Sequence, residues 1–249
     1  MTPRLFVALD PEAGDRGLLD AAGARHLRAL HLRPGDRFHA IVGAGCEREA
    51  FLDRVSAAGA SCRLSARLPD RGADPTCPRV LAIGLADLAR LDLVVEKATE
   101  LGATAIEPFC AERSQVRAVS PARLERWRRI ARSACEQCGR TVAPTVAPPS
   151  SFASLLSATS AATLLFAPGA DPEPPASARS AASVGSTLVV GPEGGLTNEE
   201  VAALVERGAV AIGLGPRILR FETAAIAALA TIATWAGARP PGFRREPLE

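Results

Sequence analysis

Near the end of the chain, two guanidinium groups and a carboxylate stand close together on an apolar bed: Gly213-Leu214-Gly215-Pro216-Arg217-Ile218-Leu219-Arg220-Phe221-Glu222-Thr223. A fixed cation beside a glycine-rich turn suits the stabilisation of a developing anion. A few polar groups among Leu214, Ile218 and Leu219 are what small-molecule sites are made of. Upstream, Leu188-Val189-Val190 runs into Gly191-Pro192-Glu193-Gly194-Gly195-Leu196-Thr197-Asn198-Glu199-Glu200. Each stretch is an apolar run, a Gly/Pro turn and a helix start, the pattern of consecutive strand-to-helix connections. Three glycines and a proline in the first turn require positive φ, or very close approach, where the strand ends, which is where α/β proteins bind ligands. A tight turn and nothing more is the other reading of the first stretch, and the second turn, ending a neighbouring strand, weighs against it.

The elements that must hold these turns are legible. Thr197 as N-cap with Glu200 three positions on forms a capping box, and Leu196 and Val201 occupy the positions of a hydrophobic staple, fixing the angle at which turn meets helix. From Arg79 onward strands and helices alternate. Val80 to Leu85, Ala105 to Phe109, Thr163 to Phe166, Ser186 to Val190 and Ala209 to Gly213 read as strands. Leu88 to Leu101 reads as a helix closed by Gly102, and Ser120-Pro121 opens another with Leu124, Trp127, Ile130, Ala131 and Ala134 on one face. A final helix spans Phe221 to Trp235. The Pro/Ala/Ser-rich connection Ala167 to Val184 is assigned no element. Ahead of all this, Arg4 to Leu9, Asp36 to Val42, Ala50 to Val55 and Ser61 to Leu68 are short strands, with a basic helix or loop at Arg25 to Arg33, so that a small, mostly β unit of barrel type is expected before a linker at Pro69 to Pro75. Isolated histidines such as His26 and His31 read as structural, with phosphate contact as the alternative.

With 249 residues the chain has room for one large or two modest domains. No apolar run reaches membrane-spanning length and the N-terminus leads directly into a strand, so a cytoplasmic protein with no membrane partner is expected. The net charge of +2 says little, but its distribution does: Arg113, Arg117, Arg123, Arg126, Arg128, Arg129, Arg132 and Arg140 are opposed over that span only by Glu125 and Glu136. Such a stripe is a solvated helix face or an RNA contact. Lys97 is the only lysine. The six cysteines are scattered, which argues against a disulfide framework. Cys135-x-x-Cys138 has no second CxxC and no nearby His, so two small buried residues are expected there and no metal.

Five segments in one order resemble the ribosomal small-subunit methyltransferase E family, which makes N3-methyluridine in ribosomal RNA with S-adenosylmethionine. They are Glu96-Lys97-Ala98-Thr99-Glu100-Leu101-Gly102, Glu112-Arg113-Ser114, Glu136-Gln137-Cys138-Gly139-Arg140, Gly191 to Gly195, and Leu214 to Arg220 with Glu222-Thr223. The resemblance spans nearly the whole chain. It implies an α/β fold in which a PUA-like RNA-binding β-barrel over residues 1–72 precedes a SPOUT-type methyltransferase domain over residues 73–249. The C-terminal trefoil knot rests on the resemblance alone, since knots are nearly absent from proteins. Also implied are S-adenosylmethionine as cofactor, 16S ribosomal RNA or the small ribosomal subunit as partner, and a homodimer. Carried onto this sequence, cofactor contacts fall on Gly191, Gly195, Leu214, Gly215, Ile218, Leu219 and Thr223, and RNA contacts on Arg25, Arg28, Lys97, Arg113, Arg126, Arg129 and Arg140. Two places depart from the family: Asp87-Leu88-Ala89-Arg90, where a basic residue, a glycine and another charged residue are usual, and His31, where an arginine is usual.

The chemistry is consistent with these residues. Methylating uridine N3 requires a weakly acidic imide proton to leave while negative charge spreads onto the ring carbonyls, so a cation beside the base lowers the barrier. Arg220 is the candidate cation, and Glu193 and Glu222 are candidate bases, with capping and helix-dipole roles as the alternative for both. Two rival functions stay open: a nucleotide- or phosphate-binding enzyme, disfavoured by the lack of GxxxxGK[ST] and GxGxxG signatures, and a catalytically silent RNA-binding protein. The final helix is apolar almost all round and must be covered on more than one side. A second copy of the chain is the expected cover, with the Lys97 helix or the Pro-rich connection as the alternative.

Overall fold

Short strands come first, as the turn-punctuated sequence requires. β1 (Arg4–Phe6), β2 (Ala8–Leu9), β3 (Arg16–Leu19), helix α1 (Ala21–Ala29), β4 (Arg37–Ile41), β5 (Glu47–Val55) and β6 (Ala60–Arg67) build a six-stranded sheet of order β1-β4-β5-β6-β3-β2. The pairing is mixed: β1 runs parallel to β4 and the remaining pairs are antiparallel. β3, absent from the sequence reading, alternates exposed and buried residues over four positions, too short a run to register as a pattern. Leu5, Leu27, Phe38, Ala50, Leu52 and Leu64 form the core of this unit. In this computed structural model, residues 2–43, 45–173 and 175–236 are described, and the chain divides into two units. The first contains the chain up to Asp74 and also Cys135–Ala143.

Arg4 explains why that later segment belongs with the first strands. It is 7% exposed, donates to Glu47 at 2.8 Å, and donates to the carbonyls of Cys135 and Gly139 at 3.0 and 2.8 Å. The Phe6 amide donates to Glu136 at 2.9 Å. Burial pushes the Glu47 carboxyl up, yet Arg4, Arg71 and His39 together hold it below the ordinary carboxylate range. Asp74 binds the same segment, accepting from the Thr141 hydroxyl and amide and the Val142 amide and pairing with Arg140.

The second unit alternates from Arg79 onward, with β9, β10, α4 and α5 beyond the elements read from the sequence: β7 (Arg79–Gly84), α2 (Leu88–Glu100), β8 (Ala105–Cys110), α3 (Pro121–Cys138, its last four residues grouping with the first unit), β9 (Thr145–Val146), β10 (Ser150–Ser151), α4 (Phe152–Ala158), β11 (Thr163–Phe166), α5 (Ala176–Val184), β12 (Ser186–Val190), α6 (Asn198–Glu206), β13 (Val210–Ile212) and α7 (Phe221–Trp235). The sheet runs β10-β8-β7-β12-β11-β13, with β9 on β8, and every pair is parallel. Strands covered on both faces need unbroken apolar runs. β11 and β12 have them, with Leu164, Leu165, Leu188 and Val189 fully buried, each contributing about 1.5–3 kcal/mol.

One assignment is corrected. Ala167 to Val184 is not all loop, because Ala176–Val184 is helix α5. Its buried face is Ala178, Ala181 and Ala182, too small to register as an apolar stripe, and it lies on α7 with Arg179 stacked 5.5 Å from the Trp235 ring centre. α7 is thus covered by α2, α5 and β12 of its own chain, burying Phe221, Ala225, Ala228, Leu229 and Ile232. Ile226, Ala227, Ala230 and Ala233 remain half-exposed along one stripe.

Candidate functional site

β12 lies between β7 and β11, and the turn after it folds back over the end of β7. A Cβ on Gly84, the last residue of β7, would fall on the backbone nitrogen of Pro192, so only glycine admits the turn here. Within the turn Gly195 takes φ +70°, and its amide donates to the Pro192 carbonyl at 2.8 Å. The capping box forms as the sequence requires: Thr197 Oγ1 accepts from the Glu200 amide at 3.2 Å and Glu200 Oε2 from the Thr197 amide at 2.9 Å. Leu196 and Val201 pack against one apolar cluster.

The turn after β8 locks this arrangement. Buried Glu200 accepts with its other oxygen from the Glu112 amide at 2.8 Å. Arg113 Nη1 donates to the Gly194 and Leu196 carbonyls, both at 3.3 Å. Arg113, expected from the resemblance to meet RNA, therefore pins the glycine-rich turn.

The second turn follows β13. Leu214, Gly215, Arg217 and Leu219 line a recess of about 50 Å³ with Phe166, Ala167 and Pro168 from the end of β11 and Ala224 from α7. Gly215 takes φ +96° with nothing within 4 Å of a Cβ built on it. Of the expected cofactor residues, Leu214, Gly215 and Leu219 share this recess; Gly191 and Gly195 stand on the turn after β12, which is not the strand next to β13 because β11 lies between them, Thr223 is exposed, and Ile218 is 90% exposed. The sequence reading did not place Phe166, the last residue of a correctly read strand, or Ala167 and Pro168 after it in the site, and they carry no signal beyond that position.

Arg220 is the N-cap residue of α7, is exposed, and makes no ion pair among the described residues. Glu193 and Glu222 both meet Arg90, in the first turn of α2: Nη1 is 3.2 Å from Glu193 Oε1 and 3.5 Å from Glu222 Oε2. Arg90 entered the sequence reading only as a departure from the family pattern. The available signal was a basic residue just beyond the end of a parallel strand, where ligand sites gather.

The basic stripe divides. Asp92 takes Arg123 at 3.2 Å, Arg126 at 2.8 Å and the Trp127 indole at 2.9 Å, while Arg129 is exposed. Arg117 donates to the carbonyls of Ala111 and Glu112. Arg140, expected from the resemblance to meet RNA, is 2% exposed and paired with Asp74, a structural setting for its guanidinium. Lys97 sits between Glu96 at 2.7 Å and Glu100 at 2.8 Å, whose carboxylates raise its ammonium above the ordinary lysine range. Arg25 and Arg28 are exposed on α1, and His31 ends that helix region with φ 58°.

Cys135 is buried, which pushes its thiol up to about 12. Among the described residues no group of three His, Cys, Asp or Glu is placed to hold a metal, and no helix is long and apolar enough to cross a membrane.

Residues 74–233 match the family model described as an RNA methyltransferase domain. The ribosomal RNA small subunit methyltransferase E of Bacillus subtilis is 33% identical over 217 residues, covering 83% of this chain and 84% of that protein. The crystal structure of a ribosomal RNA small subunit methyltransferase E from Neisseria gonorrhoeae bound to S-adenosyl methionine is 32% identical with a TM-score of 0.83, covering 94% of this chain and 98% of its own. A Legionella pneumophila structure in complex with the bound cofactor SAM is 26% identical with a TM-score of 0.81, covering 94% and 98%.

Proposed function

We propose, from the premise that this chain belongs to the ribosomal RNA small subunit methyltransferase E family, that it methylates N3 of a uridine in 16S ribosomal RNA using S-adenosylmethionine. The observation that carries this reading is the pair of turns closing β12 and β13, one presenting Gly195 and the other an apolar recess with Gly215 and Leu219. The residues fit such a cofactor: Leu214, Leu219 and Phe166 offer apolar surface to an adenine, and exposed Ile218 gains cover from a bound ligand. Gly191 and Thr223 flank the same two turns. When bound, the cofactor supplies an electrophilic methyl group on a sulfonium.

The chain's own residues supply the rest. Arg220, unpaired among the described residues, lies ready to stabilise negative charge on the uracil carbonyls as the N3 proton departs to a carboxylate, Glu193 or Glu222. Arg25, Arg28, Arg126 and Arg129 are exposed cations suited to phosphate, Arg113 adds charge at the β12 turn, and Lys97, in the last turn of α2, is a further candidate for RNA. The family resemblance supports a PUA-like domain near residues 1–72, a knotted SPOUT domain over residues 73–249 and a cytoplasmic location. For the homodimer, the half-exposed stripe of Ile226, Ala227, Ala230 and Ala233 is the surface that favours self-association, since the buried face of α7 is already covered.

Calorimetry with S-adenosylmethionine, ATP and NAD, followed by nucleoside mass spectrometry of small-subunit RNA treated with the protein, tests this reading. Cofactor binding with new N3-methyluridine supports it. ATP binding alone points to the nucleotide enzyme, and RNA binding without cofactor binding to the silent RNA-binding protein.

A further inference from the structure

One guanidinium nitrogen serves both candidate bases. Arg90 Nη1 lies 3.2 Å from Glu193 Oε1 and 3.5 Å from Glu222 Oε2. These carboxylates belong to different turns, Glu193 to the one after β12 and Glu222 to the start of α7 directly after Arg220. Arg90 itself stands on a third, after β7, where Asp87 accepts from its amide at 3.0 Å and fixes the first turn of α2. Neither glutamate pairs with another cation among the described residues.

We propose that Arg90 is the positioning residue of this site, holding the two carboxylates toward one point and so keeping the β12 turn and the head of α7 in register. The inference rests on the methyltransferase reading given above and names which residue orients its acid–base groups. Stability alone does not account for the arrangement. Arg90 is 42% exposed, and half-exposed ion pairs add little to folding. Their geometry matters more, because the two glutamates carry like charge, and without the guanidinium between them they drive the turns apart. Arg220 stands two positions before Glu222, as the N-cap residue of the same helix, so its placement against the base depends on the same tie. Arg90 uses one nitrogen for both contacts, and its Nε and Nη2 make no hydrogen bond among the described residues, which leaves the bridge free to shift when substrate arrives.

The test compares Arg90→Gln and Arg90→Lys with the wild-type chain in three measurements: turnover on small-subunit RNA at saturating cofactor, cofactor affinity, and amide hydrogen exchange at residues 193–195 and 221–224. Arg90→Gln is expected to lower kcat about a hundredfold, the scale of a small misplacement of catalytic groups. Its cofactor Kd should stay within about threefold, since the lost interaction lies outside the recess. Exchange should quicken at both segments together. Arg90→Lys, which keeps the charge without the fork, should recover part of the rate and most of the exchange protection. An unchanged kcat, a rate loss explained by weakened cofactor binding, or exchange that rises at one turn or neither would overturn the proposal. A wild-type protein that binds cofactor and leaves uridine unmethylated ends the reaction reading, while the exchange measurement still decides whether Arg90 ties the two turns.

Discussion

Gly84 and Pro192 meet where no side chain fits: a Cβ on Gly84 would land on the Pro192 nitrogen and 2.5 Å from its ring Cδ. The obstacle is backbone and a rigid ring, which have no rotamer to retreat into. Gly84→Ala is therefore expected to cost about 3 kcal/mol, at the upper end for an overpacked interior, or to displace the turn. Chemical denaturation and cofactor calorimetry on the same variant check this, and unchanged values in both would mean that the turn moves aside at no cost.

Gly195 and Gly215 make the opposite case. Neither has an atom within 4 Å of a built Cβ, so a side chain at either collides with nothing, and the obstacle is φ of +70° and +96°. A residue with a Cβ in left-handed backbone costs roughly 1–2 kcal/mol, more when β-branched. Gly215→Val should weaken S-adenosylmethionine binding by an order of magnitude or more while the melting temperature moves by only a few degrees. Retained affinity would place the cofactor elsewhere.

Arg220 separates binding from chemistry. It lies outside the lining of the recess and caps no amide with its side chain. Arg220→Ala should lower kcat by about two to three orders of magnitude, as for loss of an oxyanion donor, with little change in cofactor Kd. The reverse pattern would make it a cofactor-binding group.

RNA affinity should report the split in the basic stripe. Replacing exposed Arg126 and Arg129 by alanine should each reduce the slope of log affinity against log salt by about one unit if they meet phosphates. Equal slopes in the double variant would return this face to solvent.

Asp74 gives a pH test for the segment that Arg140 anchors. Burial alone pushes its carboxyl up, but hydrogen bonds from the Thr141 hydroxyl and amide and the Val142 amide, with the Arg140 charge, hold it below the ordinary 3.8. A lowered folded value means stabilisation that is complete above the unfolded pKa and lost as pH falls through the folded one. Asp74→Asn should accordingly lower the urea midpoint at pH 6, with the deficit shrinking below about pH 3.8. A deficit that persists undiminished in acid would assign the effect to packing.

What the sequence revealed was local. β11 and β12 appear with the boundaries their apolar runs set, the Thr197–Glu200 capping box forms, and α7 spans Phe221–Trp235. What it concealed depends on contacts between distant parts of the chain. α5 is helical because Ala178, Ala181 and Ala182 fit against α7, and composition alone reads as linker. Arg140 looks like one more surface arginine until Asp74 is seen beside it. Arg90 meets Glu222 across 132 positions of sequence, a separation that no periodicity spans.

The parallel order of the second sheet also sets a timetable for synthesis. β7 is flanked on one side by β8, which follows it closely, and on the other by β12, whose Ser186 pairs with Arg79. On a ribosome adding roughly 5–20 residues per second, β12 emerges about 5–20 s after β7. Throughout that interval one whole edge of β7 and its neighbours, among the most apolar segments of the chain, waits without its partner. An expression host therefore meets this protein first as an open edge, and slower growth or added chaperone capacity should raise the yield of folded chain more than it would for a fold with sequentially adjacent strands.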